Sequence, residues 1–292
     1  MNILITGSSG FLGLKLIKYL NDKKMNTFGT SSTKNSHKIT KISLYNSKSL
    51  EKFFSKNNFD VVIHLAAMIE NGEPMKMFNS NCKTTINLLD NCVKNGVKKF
   101  IFSSSHAVYG KTDYLPIDET HSTNPKTNYG ITKLICEQIT KMYSHFYDIT
   151  TLNLRLTSVY GKNQSKERII PRIISSALKN KQMKLHKYAN GFQVMDLLHI
   201  EDACHAIELA CKSNIPSGTY NIASGNPITI EQISKIVSKI TRKKFFEIQE
   251  INSETNHFFY DVSRSKKDWK FVPKHKINYK TLSSLIEHYK KH

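Results

Sequence analysis

The sequence predicts an α/β fold with a doubly wound parallel sheet, on two observations. Short runs rich in β-branched and aromatic residues alternate with amphipathic stretches through the first half of the chain, the pattern of parallel strands joined by crossover helices. A glycine-rich turn, Thr6-Gly-Ser-Ser-Gly-Phe-Leu-Gly13, links the first such run to the first amphipathic stretch. Strands are expected at 2–6, 25–29, 60–65, 99–103 and 150–156, with helices near 11–21, 47–57, 75–95 and 128–147. In the last of these, Ile131, Leu134, Ile135, Ile139, Met142 and Phe146 recur at helical spacing. Beyond Gly161 the pattern loosens: helices at 169–179, 201–212, 229–240 and 279–289, and strands at 194–200 and 219–222. No repeat or long linker separates the two parts.

The turn places Gly7, Gly10 and Gly13 in a G-x-x-G-x-x-G spacing between strand and helix. Such spacing serves a tight turn, close approach to a pyrophosphate and helix–strand contact. The N–H groups at the helix start, around Phe11, Leu12 and Gly13, would face the phosphates. An ordinary strand–helix turn is the alternative, but the position directly after the first strand favours a dinucleotide and hence a Rossmann-type sheet. An NAD site usually carries a carboxylate about 20 residues further on. Here that stretch is Phe28-Gly-Thr-Ser-Ser-Thr-Lys34. The hydroxyls of Thr30, Ser31 and Ser32, with Lys34, suit a 2′-phosphate, which favours NADP(H) over NAD(H).

Tyr129 and Lys133 stand four apart in Asn128-Tyr-Gly-Ile-Thr-Lys133, so a phenol and an ammonium share one helical face. A phenol alone is a poor base at neutral pH, and a neighbouring ammonium favours its ionised form. The pair can therefore take a hydroxyl proton as hydride leaves carbon, or return one as hydride arrives. Upstream, Phe100-Ile-Phe-Ser-Ser-Ser-His-Ala-Val-Tyr-Gly110 ends an apolar strand in three serines, at the sheet edge where α/β proteins bind ligands.

Together these stretches resemble the extended short-chain dehydrogenase/reductase family, in its NAD-dependent epimerase/dehydratase branch acting on nucleotide sugars. The resemblance spans nearly the whole chain. It also rests on Val61-Val-Ile-His-Leu-Ala-Ala67, Asn81 before Thr85-Ile-Asn-Leu-Leu89, Leu154-Arg-Leu-Thr-Ser-Val-Tyr-Gly161, Asp196-Leu-Leu-His-Ile-Glu-Asp202 and Tyr220-Asn-Ile-Ala223. It implies Tyr129 as acid/base, Lys133 as its tuner and the holder of the nicotinamide ribose, and Ser105 on the sugar oxygen. Leu65, Ala66, Ala67, Asn81 and Ser103 would line the cofactor, and Ser158 and Arg172 the substrate. Residues 1–160 with about 192–212 would form the NAD(P)-binding Rossmann domain. About 161–191 and 213–292 would form a smaller, interleaved substrate domain. Helices near 75–95 and 128–147 would pair two copies in a homodimer.

Departures narrow the chemistry. Dehydratases of the branch carry Asp-Glu after the catalytic hydroxyl residue, where this chain has His106-Ala107, so dehydration is not expected. Met195 stands where an Arg commonly meets the nucleotide diphosphate, a second Arg near Asn256 and His257 is missing, and Ser158 replaces a frequent Asn. Arg172, Lys184, His186, Lys187 and His257 are the cations in the right stretches. His64 and His199, inside apolar runs, read as buried hydrogen-bonded histidines. The expected activity is a 4-keto-sugar reductase using NADPH. The alternatives are an epimerase with retained NAD, a reductase of a non-nucleotide carbonyl, and a non-catalytic dinucleotide sensor.

Bulk properties agree with a globular enzyme. The net charge of +20 comes from 43 basic and 23 acidic residues, scattered rather than clustered, so no nucleic-acid partner is implied. The longest apolar runs are far too short to span a bilayer, and a strand beginning at Asn2 leaves no room for a secretory signal. Five cysteines without a C-x-x-C pair suit a reducing cytoplasmic compartment. No His/Cys/Asp cluster has metal-ligand spacing.

Overall fold

The computed structural model describes residues 1–33, 35–36, 38–69 and 73–291. At its centre lie β1 (Asn2–Thr6), β2 (Asn26–Ser31), β3 (Ile39–Lys41), β4 (Val61–His64), β5 (Lys99–Ser105) and β6 (Thr150–Leu156), joined late in the chain by β11 (Gly218–Ile222). All pair in parallel, in the order β3-β2-β1-β4-β5-β6-β11. This is the doubly wound arrangement, with the winding direction reversing between β1 and β4. Alternation divides each central strand between two cores. Ile3 and Ile5 enter the core shared with α1 (Phe11–Asp22) and α7 (Ile200–Lys212). Leu4 enters the core on the other face, shared with α2 (Ser47–Phe54), α4 (Thr84–Lys94) and α5 (Asn128–Phe146). With Ile3, Leu4 and Ile5 all fully buried, each such side chain contributes roughly 1.5–3 kcal/mol.

A second layer covers one end of this sheet. β7 (Ser158–Tyr160), β10 (Val194–His199) and β12 (Pro227–Thr229) form one three-stranded sheet. β8 (Met183–Tyr188), β9 (Gly191–Phe192) and β13 (Phe246–Ile251) form another. Around Ile173, Val237 and Leu285, α6 (Ile169–Leu178), α8 (Ile230–Thr241) and α10 (Tyr279–Lys291) share a separate core. Thr229 and Gln232 close a capping box at the start of α8, fixing where the β12 backbone turns helical.

The structure corrects the expected boundaries in several places. β2 runs on to Ser31 and β5 to Ser105, because each gains ladder partners at its C-terminal end. The helix expected over 75–95 is α3 (Pro74–Phe78), one π-helical turn at Asn79–Lys83, and α4. Chain segments also divide differently between the layers. β11, expected in the smaller domain, pairs with β6 in the large sheet. α9 (Ser263–Trp269) follows it, laying Trp269 on Tyr220 with ring centroids 4.3 Å apart. β10 pairs with β7 and β12, while its Leu198 packs into the core of the large sheet. Among the described residues no helix is long and apolar enough to cross a membrane, and no His, Cys, Asp or Glu cluster could hold a metal ion.

Candidate active site

The glycine turn leaves β1 at the point where the sheet reverses its winding. Gly7 has φ +67°, and a Cβ there would lie 2.7 Å from the Ala66 nitrogen. Only glycine therefore lets the turn after β1 nest against Leu65–Ala67 after β4. Gly13 is equally constrained, since its Cβ would fall within 2.4 Å of the Gly7 carbonyl oxygen. α1 begins directly behind, with no side-chain cap and no acidic residue in its first turn. Its leading N–H groups are thus directed at the crevice with no carboxylate competing for them. Leu65, Ala66, Ala67, Phe11 and Leu12 are half-buried at this edge, and Gly10 is exposed.

At the end of β2, Thr30 and Ser31 are buried and Ser32 is exposed. The Thr30 carbonyl accepts from the Ser8 N–H at 3.1 Å, and the Ser9 and Ser31 hydroxyls are 2.8 Å apart. Hydroxyls, not a carboxylate, therefore finish the strand beside the glycine turn. Lys34 lies outside the described residues. The residues present fit a dinucleotide: an uncapped helix start, a turn that excludes side chains, and an apolar wall after β4.

Alternation sorts the three serines of β5. The Ser104 hydroxyl donates to Glu137 and is buried. Ser103 and Ser105 point the other way. The Ser103 carbonyl accepts from Lys133 Nζ at 2.5 Å. Ser105 caps the short 3₁₀ turn over His106–Val108, its Oγ accepting from the Ala107 N–H at 3.2 Å. Thr127 caps α5 by accepting from the Gly130 N–H at 3.0 Å, which starts the helix one residue ahead of Tyr129. Gly130 then seats that helix start against the Ala107 carbonyl, where a Cβ would come within 2.4 Å. Tyr129 is consequently held beside the end of β5 and half-buried.

Lys133 is 2% exposed. Its ammonium lies 4.5 Å from the Phe102 ring centroid and 5.6 Å from that of Tyr129. His64, fully buried on β4, is bracketed by the Thr6 and Thr85 hydroxyls at 2.6 and 3.1 Å. Burial first and the Lys133 ammonium second push its pKa down to about 3, so it is a neutral structural imidazole, as its apolar run predicts. His199 likewise caps α7, accepting from the Glu201 N–H at 3.3 Å, and stacks on His275 at 4.3 Å.

Asn81, 3% exposed, lies between the loop after β4 and α5. Its amide donates to the Met68 carbonyl and Thr132 Oγ1 and accepts from the Met68 N–H. It ties the loop after β4 to α5. Asp196 is similarly internal, accepting from Ser224 and Gly225 at 2.6 to 2.9 Å. Ser158 is exposed at the start of β7. Arg172, Lys184 and His186, separated in sequence, line one cavity of about 190 Å³ with Tyr188, Phe192 and Gln193. Lys187 instead pairs with Glu250, and His257 accepts from the Val194 N–H.

Sequence reasoning misses the bracing beneath α5. Arg155 on β6 and Glu137 on α5 form a buried ion pair, with Nη2 to Oε2 at 2.8 Å. The guanidinium lies 4.7 Å from the Tyr109 ring centroid. An arginine inside the otherwise buried strand Thr150–Leu156, and a glutamate one turn beyond Lys133, were the available signals.

Fold and crevice together define a class: a Rossmann-type protein whose glycine turn at the winding reversal fits a dinucleotide. The model of the NAD dependent epimerase/dehydratase family matches residues 3–223. A putative UDP-glucose 4-epimerase of Methanocaldococcus jannaschii is 31% identical over 252 residues, covering 80% of this chain and 81% of that protein. The UDP-glucose 4-epimerase of Rhizobium meliloti is 26% identical, covering 84% and 83%. A solved UDP-glucose 4-epimerase of Thermotoga maritima, with UDP-glucose, superposes with a TM-score of 0.89 at 25% identity, covering 100% of this chain and 99% of that one. The chain belongs to the NAD-dependent epimerase/dehydratase family.

Proposed function

We propose that this protein is a nucleotide-sugar 4-epimerase that retains its nicotinamide dinucleotide through the catalytic cycle. The observation that carries the reading is the placement of Lys133 between the Ser103 carbonyl and the Tyr129 ring, at the strand ends beside the glycine turn. The sequence alone puts a 4-keto-sugar reductase first. The 4-epimerase descriptions of the similar proteins weigh toward epimerisation instead.

Tyr129 takes the proton of the sugar hydroxyl and later returns it, while Lys133, whose ammonium lies 5.6 Å from the Tyr129 ring centroid, anchors the ribose. Ser105 orients the reacting oxygen through its hydroxyl. A dinucleotide held by the Gly7–Gly13 turn and Lys133 would supply the hydride acceptor and donor for the carbinol carbon. No carboxylate follows Ser105, which leaves elimination at the neighbouring carbon without a base.

Arg172 and Lys184 supply positive charge along one cavity wall, with His186 as a further hydrogen-bonding group, supporting a nucleotide diphosphate held from α6 and β8 rather than from position 195. Hydroxyls at the end of β2 favour tolerance of a 2′-phosphate, so NADP(H) binds as well as NAD(H). Two copies associate through α5, where Ile131, Met142 and Phe146 are 43%, 49% and 70% exposed.

Two measurements test the reading. Mass spectrometry of small molecules released from freshly purified protein should yield a stoichiometric dinucleotide, and a freely exchanging cofactor points to the reductase. Tyr129→Phe should abolish epimerisation with dinucleotide binding intact; turnover near that of the parent removes Tyr129 from the chemistry.

A further inference from the structure

His106 is the one side chain of the serine-rich turn that the proposed chemistry leaves unused. It directly follows Ser105 and opens the 3₁₀ turn against which α5 is seated. Its ring packs edge-on against Phe258 and Tyr260, with centroids 6.2 and 6.0 Å away. Those two residues belong to a segment of the second layer that is stitched down on both sides. The Phe258 N–H donates to the Val194 carbonyl at 2.9 Å, and the Ile117 N–H to the Phe259 carbonyl at 2.9 Å. His106 therefore stands where the second layer meets the end of β5.

The imidazole is half-buried, and its surroundings are aromatic. Burial lowers its pKa to about 4, so at neutral pH the ring is uncharged and carries one N–H donor and one lone pair. Among the described residues neither ring nitrogen has a hydrogen-bond partner in the protein, and the ring's aromatic neighbours are Phe258 and Tyr260. A half-buried polar ring held rigidly by aromatic packing, one residue from the group that orients the reacting oxygen, is suited to meeting a ligand hydroxyl. A hydroxyl can satisfy either nitrogen, whereas an alkyl group leaves it unpaired.

We propose that His106 is a specificity-determining residue that hydrogen-bonds a sugar hydroxyl flanking the reacting carbon. This rests on the epimerase reading above. It selects substrates hydroxylated next to the carbinol over their deoxy counterparts, by hydrogen bonding and not by charge.

The test compares a nucleotide hexose with its 3-deoxy and 6-deoxy analogues, which lack the hydroxyl on the adjacent carbon 3 and the one that the other neighbour, carbon 5, carries on carbon 6. The parent should favour the full sugar over one analogue roughly 10- to 100-fold in kcat/KM, the range of a lost buried hydrogen bond. His106→Phe keeps a ring against Phe258 and Tyr260 and removes both nitrogens. It should lower kcat/KM for the full sugar by a similar factor and leave that analogue unchanged, erasing the preference. His106→Ala repeats the comparison without the ring, should the larger side chain fit badly. An equal loss on all three sugars, or no loss on any, overturns the assignment. A parent enzyme that turns over no nucleotide hexose sinks the epimerase reading instead, which separates the two failures.

Discussion

Gly130→Ala should disable the active site while barely touching the fold. A methyl group there would sit 2.4 Å from the Ala107 oxygen, 2.9 Å from Pro125 Cβ and 3.1 Å from the Ala107 carbonyl carbon. Ordinary contact begins at 3.4 Å, so the start of α5 must retreat from the 3₁₀ turn by about 1 Å. Overpacking of that kind costs about 1–3 kcal/mol. Replacing glycine by alanine in a helix returns about 1 kcal/mol, leaving a net loss of about 0–2 kcal/mol. Tyr129 moves with the helix start while Ser105 stays with the strand. A displacement of that size between reacting groups costs about 100-fold in rate. The assay is kcat for nucleotide-hexose epimerisation beside a urea denaturation curve and dinucleotide binding. Gly96→Ala is the control: its φ is +70° with nothing within 4 Å of the new Cβ, so it should lose about 1–2 kcal/mol of stability with kcat unchanged. A Gly130→Ala enzyme with kcat within a factor of about two of the parent would refute the seating argument.

Glu137→Gln leaves the Arg155 guanidinium buried without its counterion and should lower stability by about 3–5 kcal/mol in urea unfolding, with Met at both positions costing less. His64 refuses in the folded state a proton that the unfolded chain accepts below its ordinary value of 6.5, because its folded pKa is about 3. Its contribution is complete above pH 6.5 and is lost as pH falls through the folded value, at about 1.4 kcal/mol per pH unit. His64→Gln should therefore show a shallower decline in urea midpoint than the parent between pH 6.5 and 5, and equal slopes would remove His64 as the cause. Ile131→Glu with Met142→Glu, on the exposed stripe of α5, should yield a monomer in sedimentation equilibrium with its circular dichroism preserved; an unchanged mass places the dimer contact elsewhere.

Periodicity and glycine spacing were enough to predict the parallel sheet, the turn after β1 and the helix carrying Tyr129 and Lys133. Those features are written in neighbouring residues, since a strand, a turn and a helical face each draw on signals a few positions apart. The choice of Ser105 over Ser104 rests instead on the family resemblance, which implies the catalytic hydroxyl three residues before Val108. What sequence could not fix was anything depending on residues brought together from afar. The capture of β11 by the large sheet follows from pairing with β6, and the small sheet from β10 pairing with β7 and β12. That the Asn81 amide ties Met68 to Thr132 is likewise visible only in three dimensions. Arg172, Lys184 and His186 are three scattered residues in sequence and line one cavity in space. Local propensity specifies which elements exist, whereas partner choice, burial and the direction of a polar side chain are settled only when distant segments compete for the same surface.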